Sequence, residues 1–323
     1  MKKKEKKQKV YIGGQAVMEG VMMRAPDRMA IAVRRMTDGK IETYTEPIVP
    51  LAKKYKILGW PIIRGVVAFL SSMVTGMNTI TRSAQMLGDE EAMEEPSKFE
   101  KWLAKVTGKK IDDIVIFCAV VLAIVLAVGL FFVLPSLAGT GLTHLLPGHT
   151  VLVNFLEGLV RIALFLGYIT AVTRMKEIKR VFMYHGAEHK TVYCHENDEE
   201  LTVENCMKYP VMHPRCGTAF LLIVMIISIL VTSAAGVFGL DNNWLTRILI
   251  RLALLPVVAG VSYEVLQYLG KHDTPVTRVL RWPGMQLQRL TTRQPDDSMV
   301  EVALAAFIAV LEPEDRARCA PAA

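Results

Sequence analysis

The chain has 323 residues, of which 52% are hydrophobic and 21% charged, with a formal net charge of +7 and a mean hydropathy of +0.31. That hydropathy is high for a soluble protein and shifts the reading toward the membrane. The positive charge implies no nucleic-acid partner, because it gathers in a basic tail and beside long uncharged runs, where it acts as a topology and anionic-lipid signal.

Residues 1–10 (MKKKEKKQK and Val10) are a solvated basic tail, and no apolar run follows the lysines to make a cleavable signal peptide. Residues 11–56 form a small β-containing segment. Its first part, VYIGGQAVMEGVMMR, has glycines at 13, 14 and 20 that suggest a tight backbone path. Within it Glu19 is a lone carboxylate among apolar residues: if buried it needs a cation, a metal or a set of donors, and otherwise it sits on an exposed loop. The stretch 29–46 alternates apolar and polar residues on both sides of Thr37-Asp38-Gly39-Lys40, which predicts a β-hairpin with an Asp-Gly turn. Residues 57–88 are apolar at helical spacing but carry Arg64 and several Gly, Ser and Thr residues, so an amphipathic interfacial helix fits better than a span. An acidic linker occupies 89–110.

Four spans follow, at 111–135, 151–174, 218–240 and 245–269. The uncharged runs 114–134 and 220–240 each cross a hydrocarbon core of about 30 Å at about 1.5 Å per residue. The other two carry charges, Glu157 and Arg161 in one and Arg247, Arg251 and Glu264 in the other, that must face a bundle interior rather than lipid. Lys and Arg crowd the segment between the second and third spans and are missing from 135–150, so the positive-inside rule places both termini and that segment in the cytoplasm of a multi-pass protein.

The segment 175–217 concentrates the chemistry. Four of the seven His and three of the five Cys fall in the 34 residues from Tyr184 to Gly217. His185-Gly186-Ala187-Glu188-His189 puts two imidazoles four apart, on one face of a helix, with Glu188 beside them as a general base would stand. H-x-x-E-H is the inverzincin pattern, in which both His bind zinc and the Glu takes a proton from water. The second span is expected to run on without a break to deliver these residues. Asn197 to Glu200 forms a turn, Thr202 caps a short helix ended by Pro210, and His213-Pro214-Arg215-Cys216 returns to the membrane beside His185. The third ligand stays open between Glu264, an intramembrane carboxylate whose alternative is an ion pair with Arg161 or Arg64, and His213 or Cys216. Cys216 with His213 could instead be a nucleophile pair. After the fourth span, 276–311 reads as interfacial and cytoplasmic helices, the last opened by capping-box spacing at Ser298 and Glu301, and 312–323 is a tail. The fold class is therefore mainly α: a four-span helical bundle with a small cytoplasmic α+β part made of the N-terminal hairpin and the C-terminal helix.

The motifs GGQAVMEGVMMR, YHGAEHKT, LTVEN, HPRCGTAFLLIVM, RLALLPVVAGVSYEVL and LQRLTTRQPDDSMVEVA together resemble the bacterial YqhQ family, a domain family of unknown function whose members are described as predicted metal-dependent membrane proteins. The resemblance runs from about Tyr11 to Leu311. It implies a multi-spanning protein of the bacterial cell membrane and points to Glu19, His185, Glu188, His189, His213 and Cys216. The expected cofactor is a divalent metal, zinc first. Two functions stay open: a membrane-embedded metal-dependent hydrolase, or a scaffold or small transporter with a structural metal or polar ion path.

Overall fold

The computed structural model describes residues 12–49, 55–87, 111–237 and 244–312. The basic tail, the acidic linker and the turn before Trp244 lie outside these residues. The chain divides into two compact units, the first made of Met1–Gly88, Ile169–Val224 and Ala259–Ala323, the second of Asp89–Tyr168 and Met225–Val258.

The first unit opens with an antiparallel meander in the order of the chain: β1 (Gly13–Val17), β2 (Gly20–Arg24), β3 (Arg28–Arg34) and β4 (Ile41–Pro47). The predicted hairpin is β3–β4, with Arg28 opposite Pro47 and Arg34 opposite Ile41. Gly39 takes the left-handed φ of 70° that its tight turn requires. The tight path expected around Gly13, Gly14 and Gly20 proves to be a second hairpin, β1–β2, turned by Met18 and Glu19 with Glu19 at φ 51°. Both faces of the central strands are covered. Val21, Met23, Ala30 and Ala32 pack with the C-terminal helix on one side, while Met22, Met29, Ile31 and Val33 meet Met86 and Leu87 on the other. Full coverage replaces the in/out alternation of a half-exposed strand by a continuous buried run.

The helices of this unit are α1 (Ile63–Leu87), α5 (Lys176–Glu196), α6 (Val203–Met207), α9 (Pro275–Thr291) and α10 (Asp297–Val310). Each end has a local cause. The helix before α5 ends at Val172, and Met175, in an extended conformation, starts α5 afresh, so the uninterrupted helix expected there is broken at 173–175. Thr202 caps α6 as expected, its hydroxyl accepting from the Asn205 amide. The cap of α10 is Asp296 rather than Ser298: its Oδ1 accepts from the Met299 N–H, and Glu301 is left to pair with Arg34 at 2.7 Å. Asp is as good a cap as Ser and stands one position before the first helical residue.

The second unit holds α2 (Ile111–Val128), which passes through a π-helical turn at Gly129–Val133 into α3 (Leu134–Leu145), and most of α4 (Thr150–Val172). It also holds the C-terminal part of α7 (Thr218–Val237) and the N-terminal part of α8 (Trp244–Lys271). Glu157 on α4 is fully buried at 0% exposure. Its carboxylate accepts from Arg251 Nη2 at 2.6 Å, from Arg251 Nη1, from Arg247 Nη1 at 3.3 Å and from Ser136 Oγ. Arg161 turns toward the Phe131 carbonyl at 2.9 Å with its Nη2 3.8 Å from Glu157. The charges of these helices thus point inward, as expected, and gather on one carboxylate.

Among the described residues four helices are long and apolar enough to cross a bilayer: Ile63–Leu87, Phe117–Leu145, Thr150–Val172 and Leu245–Lys271. The first of these was expected at the interface. It runs 25 residues and leaves Phe69, Leu70, Met73, Val74, Met77 and Ile80 exposed. The apolar part of α7, expected as a full span, is the shorter Phe220–Ala234 among the described residues.

Candidate metal centre

The centre is assembled on α5, whose one face delivers His185, Glu188 and His189 into the first unit, all of them buried. The start of α7 brings back Cys216. One donor atom from each of His185, His189 and Cys216 lies within 4.8 Å of the others, and all three residues are buried, at 9%, 1% and 9% exposure. His185 Nε2 stands 3.2 Å from Cys216 Sγ.

The backbone sets the rings. His185 Nδ1 meets the Thr291 carbonyl at 2.8 Å and His189 Nδ1 meets the Val211 carbonyl. A carbonyl only accepts, so each Nδ1 carries the proton and each Nε2 presents a lone pair. This second-layer contact is the one that metal-binding imidazoles make. His185 spends its Nε2 on the Cys216 sulfur, whereas the Nε2 of His189 is buried with no hydrogen-bond partner. An orphaned buried nitrogen costs about 1–3 kcal/mol unless something fills its lone pair. Cys216 Sγ accepts from the Thr218 amide at 3.4 Å and lies 3.1 Å from the Thr218 hydroxyl, at the start of a helix. Two imidazoles and a thiolate fit a divalent ion of the zinc type.

Glu188 is held at the edge of this cluster. Its Oε1 accepts from the Gly14 amide at 2.9 Å and its Oε2 lies 3.8 Å from His185 Nε2. β1 can come this close only because residue 14 has no side chain: a Cβ there would meet the Met22 carbonyl and sit 2.9 Å from Glu188 Cγ. Gly14→Ala is expected to cost about 1–3 kcal/mol by overpacking and to swing Glu188 away while the two imidazoles stay in place. Metal content should then persist while any turnover falls about 100-fold, and retained full turnover would remove Glu188 from the chemistry. Gly186 serves the same end on α5, since a Cβ there would run into the Arg293 carbonyl oxygen.

The remaining expected residues lie elsewhere. His213 is beside the cluster, its ring 5.7 Å from that of His189, but its Nε2 is paired with Glu196 at 3.2 Å and its Nδ1 accepts from the Arg215 amide. Gln288 of α9 clamps its backbone, accepting from the His213 N–H at 2.8 Å and donating to its carbonyl at 2.9 Å. Burial pushes the Glu196 carboxyl up, yet the bonds from His213 and Arg215 outweigh it and hold the group below the ordinary carboxylate range. Glu19 is in an ion pair with Arg180, 2.6 Å at Nη2, and accepts from the Tyr184 hydroxyl at 3.2 Å. Its half-buried carboxylate found a cation, and burial beside it pushes the Tyr184 phenol well up.

Glu264 does not join the cluster. Arg64 on α1 takes both of its oxygens, at 2.7 and 2.5 Å, and the Ile62 amide donates to it. The ion pair named as its alternative is the one formed, because α1 packs on α8 where Gly65 meets Gly260 and Tyr263. Glu264→Gln is therefore expected to leave metal content unchanged and to shift stability by no more than about 1 kcal/mol for so exposed a pair. Loss of metal in that variant would put Glu264 back among the ligands.

Two cavities flank the cluster. One of about 520 Å³ is walled by β1 and β2, by α1 at Ser72 and Thr75, and by Val181, Phe182, His185 and Cys216. The other, about 200 Å³, is lined in part by Glu188, His189, Glu196, His213 and Arg215. Gly13, Gly14, Cys216 and Gly217 border both.

Comparison with known proteins agrees with this picture in extent. The family described as "Protein of unknown function (DUF1385)" matches residues 60–313. The "Uncharacterized protein YqhQ" of Bacillus subtilis (strain 168) is 34% identical over 307 residues, covering 94% of this chain and 92% of that one. No solved structure matches the chain. With the four membrane-capable helices of the described residues and all three donors of the cluster inside the matched range, the chain belongs to the DUF1385 family, that of YqhQ.

Proposed function

We propose that the chain is a metal-dependent hydrolase of the cell membrane, with its centre at the cytoplasmic face, His185, His189 and Cys216 as ligands and Glu188 as general base. The observation that carries this reading is the Nε2 of His189, buried and without a hydrogen-bond partner, on a residue one of whose ring nitrogens lies within 4.8 Å of donor atoms of His185 and Cys216. Three protein donors with cavities on either side leave a position open, which is how catalytic sites differ from closed structural ones. A bound divalent ion would supply Lewis acidity toward a carbonyl and toward water at neutral pH. Glu188, its orientation fixed by the Gly14 amide, removes a proton from the attacking water and returns it to the leaving group. An ester or amide RCO–XR′ and water then become RCOOH and HXR′.

A second reading has its own support: Glu188 Oε2, 3.8 Å from His185 Nε2, is near enough to close the shell as a fourth ligand and make the site structural, in a scaffold or transporter. Elemental analysis of protein purified without chelator separates the two. We expect about one zinc per chain, retained in Glu188→Gln with turnover lowered by about 10²–10⁴. Loss of the metal from Glu188→Gln would make the site a closed structural one. An unmutated protein free of metal would end both readings.

A further inference from the structure

We propose that the larger cavity beside the centre is the seat of an anionic amphiphile with a long alkyl chain, which enters from the lipid along α1. This rests on the hydrolase reading for its chemical meaning, since it names the class of substrate, but the binding it claims does not need the metal.

The walls set the class of ligand. Ala16, Met22, Val181 and Phe182 make a lining that excludes a strongly hydrated molecule, and about 520 Å³ is enough for a chain of roughly a dozen carbons, at about 30 Å³ each. Arg24 is the one charged group on the lining besides the residues of the metal cluster. It lies across the β1–β2 pair from Gly13, at the end of the hairpin where Gly14 holds Glu188. A cation placed in such a wall without neutralising the rest of it selects an anion, a carboxylate or a phosphate.

The entrance sets the source. The wall formed by α1 contributes Ser72, which is exposed, and Thr75, half-buried. Their helical neighbours Leu70, Met73, Val74 and Met77 are all exposed, on a helix long and apolar enough to cross a bilayer. A cavity walled by a helix whose outer side is an exposed apolar stripe would be reached by sliding out of the lipid, without the alkyl chain crossing water. The smaller cavity, which shares Gly13, Gly14, Cys216 and Gly217 and carries Glu188, Glu196 and Arg215 on its lining, would then admit water to the same centre. The two cavities thus separate the two reactants of a hydrolysis.

Photolabelling tests this without reference to turnover. Full-length protein in lipid nanodiscs is exposed to a diazirine-bearing dodecanoate and, separately, to the corresponding dodecanol, and the labelled peptides are mapped. The carboxylate probe should label peptides containing Met22 and Phe182, saturably and several-fold more than the alcohol does. Arg24→Gln should bring the carboxylate down to the level of the alcohol. Thr75→Trp and Val181→Trp, which fill the cavity from α1 and from α5, should each abolish labelling at Met22 and Phe182 and leave that of the α1 stripe unchanged. Labelling confined to Leu70, Met73, Val74 and Met77, or cavity labelling untouched by both tryptophans, would show ordinary contact with surrounding lipid and overturn the proposal. Equal labelling by acid and alcohol would remove the anionic head from it. Failure of the hydrolase reading would show separately, as absence of metal with cavity labelling intact.

Discussion

His189→Ala is expected to abolish the response of thermal stability to zinc. In the unmutated protein a ligand that binds only the folded state stabilises it by about 2.7 kcal/mol at one hundred times its dissociation constant, so the unfolding midpoint should climb as zinc is titrated in. The variant lacks the nitrogen whose lone pair has no other partner, and its midpoint should stay flat. Without metal the comparison runs differently. Removing His189 frees the Val211 carbonyl, which costs about 1–3 kcal/mol if it stays buried, but it also removes an orphaned nitrogen of comparable cost. The metal-free proteins should therefore differ little. Differential scanning fluorimetry in detergent, with and without chelator, reads both arms. An equal zinc response in the variant would mean that the ion binds elsewhere.

Glu157→Gln is expected to be the most damaging single change in the second unit. The carboxylate is fully buried and neutralises Arg251 and Arg247, with Arg161 at 3.8 Å. Removing one member of a buried ion cluster costs about 3–5 kcal/mol, because the charges left behind are desolvated and unpaired. The amide keeps the size of the side chain, so the loss is electrostatic rather than steric. Gly139 leaves no slack, since even a Cβ there would strike the Glu157 carboxylate. Unfolding in mixed micelles of increasing denaturing detergent measures the loss, and the partner variant Arg251→Gln should be damaging too. A stability within about 1 kcal/mol of the unmutated protein would mean that water or lipid phosphate reaches the cluster.

The residues most legible in the sequence were those whose chemistry sits in the side chain. His185, Glu188 and His189 stand at helical spacing, and Cys216 was named among the candidates because the chain had to return near His185. The β3–β4 hairpin was equally plain, announced by Asp38-Gly39. What escaped was supplied by backbone or by distant partners. The carbonyls of Thr291 and Val211 and the amide of Gly14 carry no side-chain signature, yet they orient both imidazoles and the base. Glu264 stayed open between ligand and ion pair because its partner Arg64 is 200 positions away, on a helix read as lying at the interface. The β1–β2 hairpin was hidden because β2 is buried on both faces, which erases the alternation by which strands are recognised.

The sheet face covered by α10 has a consequence for how the protein comes into being. Arg34 and Glu301, which fasten β3 to that helix, are 267 positions apart, and all four membrane-capable helices of the described residues are made between them. Val21, Met23, Ala30 and Ala32 emerge from the ribosome early and must wait for Met299, Val300, Ala303 and Phe307 while those helices are being made. During that interval one apolar face of the β-sheet stands uncovered, a condition that invites aggregation or a chaperone. Assembly of the His/Cys cluster, which leans on Thr291 just before the same helix, therefore comes at the end of biogenesis, and a stalled or clipped chain would be both inert and sticky.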